Sequence, residues 1–502
     1  MSAAQTLALS LVSHTNVGKT TLARTLLRRD IGEVRDEAHV TLEAEVHTII
    51  ESAEGDRLEL WDTPGFGDSL RLAKRLALAG NPIGWFMSEV WDRFRDRAFW
   101  SSQRAVRNIV GQADVVLYLV NAAEAPADAG YLDAELQVLT LIAKPVVVLL
   151  NQLGPPLPPA QEAAEIERWR ERMRHSPCVR AVLALDAFAR CWVQEGTLLQ
   201  AVGEALPAGR RELLIRLRAR WAERDLATWS AAMAVLAERL ARATLDHQAV
   251  PAAGWGDRLK ELGSQVGLRR EAGSGPRDAA MKQLAQRLAD DVRTSTDRLI
   301  GLHGLSGRAT DEVLSRLATH YTMQQPLNEG KAALWGGAVT GALAGLKADI
   351  LTGGLTLGGG LLAGGLLGAL SAAGLARGYN IVRGVEEPVV TWAESALAEL
   401  ASTALLGYLA VAHYGRGRGD WVASEHPAFW LAAVDAVMAE HGAALRALIE
   451  QGQDALSETA SLQADEMPAL AARLQGWFTQ ACAALLCRLY PGSAALFQPA
   501  GR

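Results

Sequence analysis

Apolar and polar positions divide the chain into two textures. In the first two fifths, short apolar runs alternate with longer amphipathic stretches. Leu7–Val12, Val115–Asn121 and Pro145–Asn151 are near-continuous apolar runs, the pattern of parallel strands covered on both faces. Glu45–Glu51 alternates, Arg57–Asp62 follows after a turn at Gly55, and Arg180–Leu185 completes six predicted strands. Strands alternating with helical segments predict a doubly wound, mostly parallel α/β domain over residues 1–203. After Gly203 the periodicity becomes helical, from Arg210 to about Leu245, on to Thr322, from Val385 to Tyr414, and from Pro427 onward. No strand-rich stretch is expected there. The remainder is read as helical regions over 204–330 and 384–502, flanking an unusual segment over 331–383.

That segment is apolar and rich in glycine. Ala332–Leu346 and Ile350–Ala376 carry no charge, and Lys347 and Asp349 stand between them. A membrane-spanning helix needs about 20 apolar residues, which the second leg supplies and the first does not. Gly337, Gly341 and Gly345, then Gly360, Gly364 and Gly368, recur at a spacing that lets helices approach closely. Lys331 before the first leg and Arg377 and Arg383 after the second would lie on one side of an inserted hairpin. Two readings stay open: a membrane-inserted hairpin, and a glycine-zippered core hairpin of a soluble bundle.

Composition narrows the options. At 502 residues the chain exceeds one core, and 49% hydrophobic residues allow most of it to fold. A formal net charge of −6 gives no electrostatic reason to expect nucleic acid. Cys178, Cys191, Cys482 and Cys487 show no metal-binding spacing and read as reduced thiols. The apolar N-terminus lacks a basic leader and is read as the first strand.

The chemistry begins at Ser13-His14-Thr15-Asn16-Val17-Gly18-Lys19-Thr20, between a predicted strand and a predicted helix. This fits a P-loop, GxxxxGK[ST], except that Ser13 stands at the first glycine position. Backbone amides of such a loop, helped by the helix start, face phosphates; Lys19 would reach the β- and γ-phosphates and Thr20 would ligate Mg²⁺. Asp62-Thr63-Pro64-Gly65 follows the third strand as a DxxG element, where Asp62 can hold Mg²⁺ through water and the Gly65 N–H can meet a γ-phosphate. Thr41 is the one threonine between Asp30 and Ala44, and is the candidate to complete the metal shell. Between DxxG and the fourth strand, Trp85, Phe86, Trp91, Phe94, Phe99 and Trp100 are interspersed with arginines. This insert reads equally as a docking surface and as a helix covering the core.

Asn16–Thr21 and Trp61–Phe66 resemble the translation-factor class of GTPases, in the Era, EngA and TrmE-like branch. The layout further resembles a bacterial family joining such a G domain to a C-terminal domain of unknown function. The motif resemblance runs to about Gly203. It implies that Ser13, Asn16, Val17, Gly18, Lys19, Thr20 and Thr21 bind nucleotide, that Lys19, Thr41 and Gly65 serve catalysis, and that Thr20, Thr41 and Asp62 serve the metal. Asn16 matches an asparagine that helps relatives hold K⁺. Phe66 occupies the place of a common catalytic glutamine, which implies slow intrinsic turnover. Asn151-Gln152-Leu153-Gly154 matches the base-recognition element NKxD at Asn151 but lacks its aspartate. Losing a bidentate base contact costs about 1–3 kcal/mol of discrimination. GTP is therefore the expected nucleotide with ATP open, and Asp186 is a candidate replacement carboxylate.

These readings converge on a GTPase, with GTP as substrate and Mg²⁺ as cofactor, at the cytoplasmic face of a bacterial inner membrane or otherwise in the cytoplasm. Membrane lipid, a second G domain in a homodimer, or a membrane-protein partner is expected, and nucleic acid is not. A soluble ribosome- or RNA-directed assembly GTPase and a G-domain-gated pore are the alternatives.

Overall fold

The computed structural model describes residues 4–28, 44–76, 83–84, 97–154, 156–187, 190–249, 276–305, 379–382, 389–414, 427–458 and 465–497. The chain divides into two compact units. One comprises Met1–Ala227, Ala412–Pro427 and Leu486–Arg502; the other comprises Thr228–Val411 and Ala428–Leu485.

The first unit is built on a six-stranded sheet. Its strands are β1 (Thr6–Ser13), β2 (Glu45–Glu51), β3 (Arg57–Asp62), β4 (Val115–Asn121), β5 (Val146–Asn151) and β6 (Val179–Ala184), in the order β2-β3-β1-β4-β5-β6. Only the edge strand β2 is antiparallel, to β3; the other pairings are parallel. Every residue of β5 is buried, as is every residue of β4 but Asn121, which is why both read as unbroken apolar runs. The helices are α1 (Lys19–Leu27), α2 (Ser69–Leu76), α3 (Arg97–Gly111), α4 (Leu132–Ile142), α5 (Pro159–Met173) and α6 (Trp192–Ala205). Residues from α3, α4 and α5 pack with β4 and β5 into one core that also holds Phe66 and Phe99. β1, β3 and β5 end in Ser13, Asp62 and Asn151. The chemically distinctive residues therefore collect at the carboxyl edge of the sheet, where open α/β sheets bind their ligands.

A long helix, α7 (Ala208–Leu245), contributes its first turns to this unit. Arg210 forks onto the Asp114 carboxylate at 3.1 and 2.6 Å. Arg216 grips Asp56 at 2.8 Å, and Asp56 in turn accepts the Gln5 N–H at 2.9 Å. Deeper in, Arg28 at the end of α1 pairs with Asp225 of α7 and with Glu195 of α6. Glu195 also pairs with Arg190 and accepts the Trp221 indole N–H at 3.1 Å. Asp225, Glu195 and Arg190 are all buried, so these charges compensate one another.

The second unit contains the rest of α7, α8 (Pro276–Leu302), α9 (Glu394–Ala412, all but its last residue), α10 (Ala428–Glu458) and most of α11 (Glu466–Leu489). A β-carbon on Gly452 would lie 2.8 Å from a Leu470 methyl and 3.0 Å from the Thr244 methyl, so α7, α10 and α11 pack closely there. Trp229 donates to the Cys482 sulfur at 3.4 Å, and Trp477 donates to the His441 carbonyl at 2.9 Å. Two described helices, Glu394–Ala412 and Ala428–Ala455, are long and apolar enough to cross a membrane; a mostly buried core helix passes the same test, and 61% of the first one's apolar window is buried.

The sequence reading expects no strand-rich stretch after Gly203, and three short strands nonetheless form in this unit. β7 (His247–Ala249), β8 (Tyr379–Val382) and β9 (Val389–Trp392) form an antiparallel sheet in the order β7-β9-β8. Val389–Trp392 was expected to be helical and is extended. The expected hairpin over 331–383 lies outside the described residues apart from Tyr379–Val382, which is strand.

Candidate functional site

The loop between β1 and α1 bends through two positive-φ residues, Asn16 at 65° and Gly18 at 89°. Gly18 is required twice over. Its φ suits glycine, and a β-carbon there would fall 2.8 Å from the Asn151 amide nitrogen. Asn151 is fully buried and braces the loop: its Nδ2 donates to the Val17 carbonyl at 2.7 Å, and its Oδ1 accepts the Ala187 N–H at 2.8 Å. The asparagine expected at the base-recognition element thus ties that loop to the phosphate loop.

Lys19 opens α1, and its Nζ donates to Ser13 Oγ at 3.1 Å. Ser13, the departure from the P-loop pattern, supplies a hydroxyl that holds the lysine. Burial lowers the Lys19 ammonium below its ordinary pKa, while the Asp62 and Glu135 carboxylates oppose that shift. Gly65 comes so close that a β-carbon would lie 3.1 Å from Lys19 Nζ and 3.4 Å from Thr15 Cα. The DxxG loop is laced to the phosphate loop: the Phe66 N–H donates to the Ser13 carbonyl at 2.9 Å, and Thr15 Oγ1 donates to the Phe66 carbonyl at 3.3 Å. The Phe66 side chain turns into the core, 0% exposed.

Thr20 Oγ1 donates to Asp62 Oδ2 at 2.6 Å. Asp62 is buried, which raises its pKa; Lys19 and the Thr20 hydroxyl resist that rise. Its second oxygen, Oδ1, is buried without a hydrogen-bond partner among the described residues. An orphaned carboxylate oxygen beside a threonine hydroxyl is a donor set that suits Mg²⁺, a hard cation that takes oxygen ligands. Thr20 and Asp62 would hold it, and it would neutralise phosphate charge there. Thr21 is buried one residue on. Thr41, together with Trp85, Phe86, Trp91 and Phe94 of the aromatic insert, lies outside the described residues. Phe99 is buried, beneath the Arg71 guanidinium at 4.1 Å.

At the base-recognition loop, Gln152 and Gly154 take positive φ values of 60° and 79°. Asp186 is 5% exposed, and its Oδ2 accepts the Leu153 N–H at 2.7 Å. Its carboxylate thus shapes the loop between Asn151 and Gly154.

One cluster is absent from the sequence reading. Glu135 of α4, 0% exposed, faces His14 of the phosphate loop and Ser69 of α2 with one oxygen, and Tyr118 of β4 with the other. Its signal in sequence is a carboxylate on the apolar face of a helix, four residues before Leu139 and three after Leu132.

Residues 8–152 match a family described as 50S ribosome-binding GTPase. No curated protein matches the chain. Among solved structures, Era of Aquifex aeolicus bound to GDP·AlF₄⁻ is 17% identical at a TM-score of 0.30, over 41% of this chain and 58% of that one. Toc33 of Arabidopsis thaliana with Mg²⁺ and GMPPNP is 14% identical at 0.24, over 43% and 84%. The cytosolic domain of the T. maritima FeoB iron transporter, in its GMPPNP form, is 14% identical at 0.22, over 59% and 99%. Likeness at this level carries no functional inference. The family match and the Lys19, Thr20, Asp62 and Gly65 constellation at the sheet's carboxyl edge agree: the N-terminal part of this chain is a P-loop GTPase domain.

Proposed function

We propose that this protein binds GTP with Mg²⁺ at the carboxyl edge of its six-stranded sheet, hydrolyses it slowly, and couples the nucleotide state to a membrane-associated helical part. The observation that carries the nucleotide reading is the trio of Lys19 on Ser13, Thr20 on Asp62, and the unpartnered Asp62 Oδ1. In this reading the loop amides and Lys19 hold the phosphates, and Thr20 and Asp62 hold the metal. Gly65 lies beside Lys19, and its N–H is assigned the terminal phosphate on the DxxG pattern. Thr41 is proposed to complete the metal shell.

Phe66 is the reason to expect a slow rate. A side chain locked in the core cannot orient the attacking water, so catalysis needs another group, a cation or a partner. The motifs resemble those of the Era, EngA and TrmE-like branch, and on that resemblance Asn16 makes K⁺ the cation to try. A second G domain in a homodimer is the partner to try.

The membrane half rests on sequence: Ile350–Ala376 is uncharged, long enough to span, and glycine-rich at close-packing intervals. On this reading the protein works at the cytoplasmic face of a bacterial inner membrane. Flotation of the full chain with liposomes, with and without Mg·GTP, tests this. Co-flotation that changes with nucleotide is expected, and a chain that stays at the bottom of the gradient in both conditions contradicts it. The matching family's description brings a ribosome-directed reading. That reading predicts co-sedimentation with ribosomes, against which stands a net charge of −6.

A further inference from the structure

Glu135 is a fully buried carboxylate, and a lone buried charge is costly unless donors and cations surround it. Its surroundings are specific. His14 Nδ1 lies 2.7 Å from Oε1; since a carboxylate only accepts, Nδ1 carries the proton. The Ser69 hydroxyl donates to the same oxygen. The Tyr118 hydroxyl donates to Oε2 at 2.7 Å. The His14 ring lies flat against Tyr131, with centroids 4.5 Å apart and an interplanar angle of 15°. Lys19 feels the field of this carboxylate together with that of Asp62.

The three donors come from three different elements. His14 belongs to the phosphate loop, one residue after the serine that holds Lys19. Ser69 is the first residue of α2, four residues after Gly65 of DxxG. Tyr118 lies in the middle of β4, the strand beside β1 in the sheet. One side chain therefore joins the two lips of the phosphate site and pins both to the sheet. The DxxG loop is held elsewhere as well, by Phe66 on Ser13 and Thr15, and by the Gly67 N–H on Ser102 Oγ at 3.1 Å. Of these fastenings, only the one through Glu135 joins the phosphate loop to α2. Tyr118 burial raises its phenol well above the ordinary range, with the Glu135 carboxylate adding to the rise, so it remains a donor.

We propose that Glu135 is a positioning residue for GTP hydrolysis, setting the phosphate loop and the DxxG segment in register through His14 and Ser69 without touching the nucleotide. The proposal rests on the reading of this site as a GTP-hydrolysing one. Affinity comes chiefly from loop amides, Lys19 and the metal ligands, all of which remain when Glu135 is altered. Hydrolysis depends on the relative placement of Gly65 and the phosphates, where a shift of about 1 Å can cost on the order of 100-fold. Turnover should therefore suffer more than binding.

The test uses the full chain with Glu135→Gln, Ser69→Ala, Tyr118→Phe and the double variant Glu135→Gln/Ser69→Ala. Single-turnover GTP hydrolysis is compared with GMPPNP affinity, both with Mg²⁺, and thermal melts check folding. Each single variant is expected to lose at least tenfold in turnover while GMPPNP affinity stays within threefold. Adding Ser69→Ala to Glu135→Gln should cost less than a further twofold, because both break one fastening. If Glu135→Gln does not fold, Ser69→Ala and Tyr118→Phe, which remove only a hydroxyl, decide the matter. Turnover of Ser69→Ala within twofold of the parent, or affinity and turnover falling in parallel, overturns the positioning role. A parent chain that binds GTP without hydrolysing it overturns the underlying reading instead.

Discussion

Single residues in this protein show which departures from a motif are consequential. Ser13 replaces a glycine, yet its hydroxyl has a definite partner in Lys19 at 3.1 Å. By the resemblance, Phe66 stands at the place of a glutamine, and its ring is part of the central core. Restoring the polar residue should therefore harm the fold without restoring catalysis. Phe66→Gln is expected to lower stability by about 2–4 kcal/mol in urea denaturation, from lost packing and a buried amide, with no gain in turnover. A variant that hydrolyses GTP tenfold faster would show that the side chain can reach the nucleotide. The places of Lys19, Thr20, Asp62 and Gly65 at the sheet's carboxyl edge were legible because each has a fixed position relative to a strand end. Glu135 was not, because its meaning arises only when His14, Ser69 and Tyr118, scattered over more than a hundred residues, come together.

Among the elements, the six strands of the main sheet were legible for a physical reason. β1, β4 and β5 are covered on both faces, and their apolar runs announce it. β7, β8 and β9 are three or four residues long, and β7 pairs with β9 across a separation of more than a hundred residues. Strands so short follow from tertiary pairing and leave no local period. α7 adds a different lesson: its arginines and Asp225 look like an ordinary solvated face in sequence, but Asp225 is 2% exposed and clasps Arg28. Asp225→Ala should destabilise the G domain by about 3 kcal/mol or more, since it leaves a largely buried guanidinium short of a partner; a denaturation midpoint equal to the parent's would contradict this. α5 offers a pH-dependent counterpart. Burial lifts the Glu162 carboxyl from 4.5 to about 7. The native state then holds this proton more tightly than the unfolded chain, so the parent loses stability as pH rises from 4.5 to 7 and no further above it. Glu162→Gln should remove that loss and be the more stable protein at pH 8, by up to about 3 kcal/mol; melts that run parallel from pH 4.5 to 8 would contradict it.

At the scale of the whole molecule, the chain passes from the first unit to the second within α7, at Ala227 and Thr228. A GTPase domain is thus covalently continuous with a unit of long helices and a small antiparallel sheet. The glycine-rich residues that motivate a membrane role lie in the sequence between α8 and β8. Everything proposed for that unit presupposes that the first one takes up a nucleoside triphosphate. Titration calorimetry of the full chain with GMPPNP, in the presence of Mg²⁺, measures this directly, with Lys19→Ala as the comparison. The parent is expected to bind one equivalent and Lys19→Ala to bind none detectably. Absence of any heat of binding with the parent, or undiminished binding by Lys19→Ala, would contradict the account.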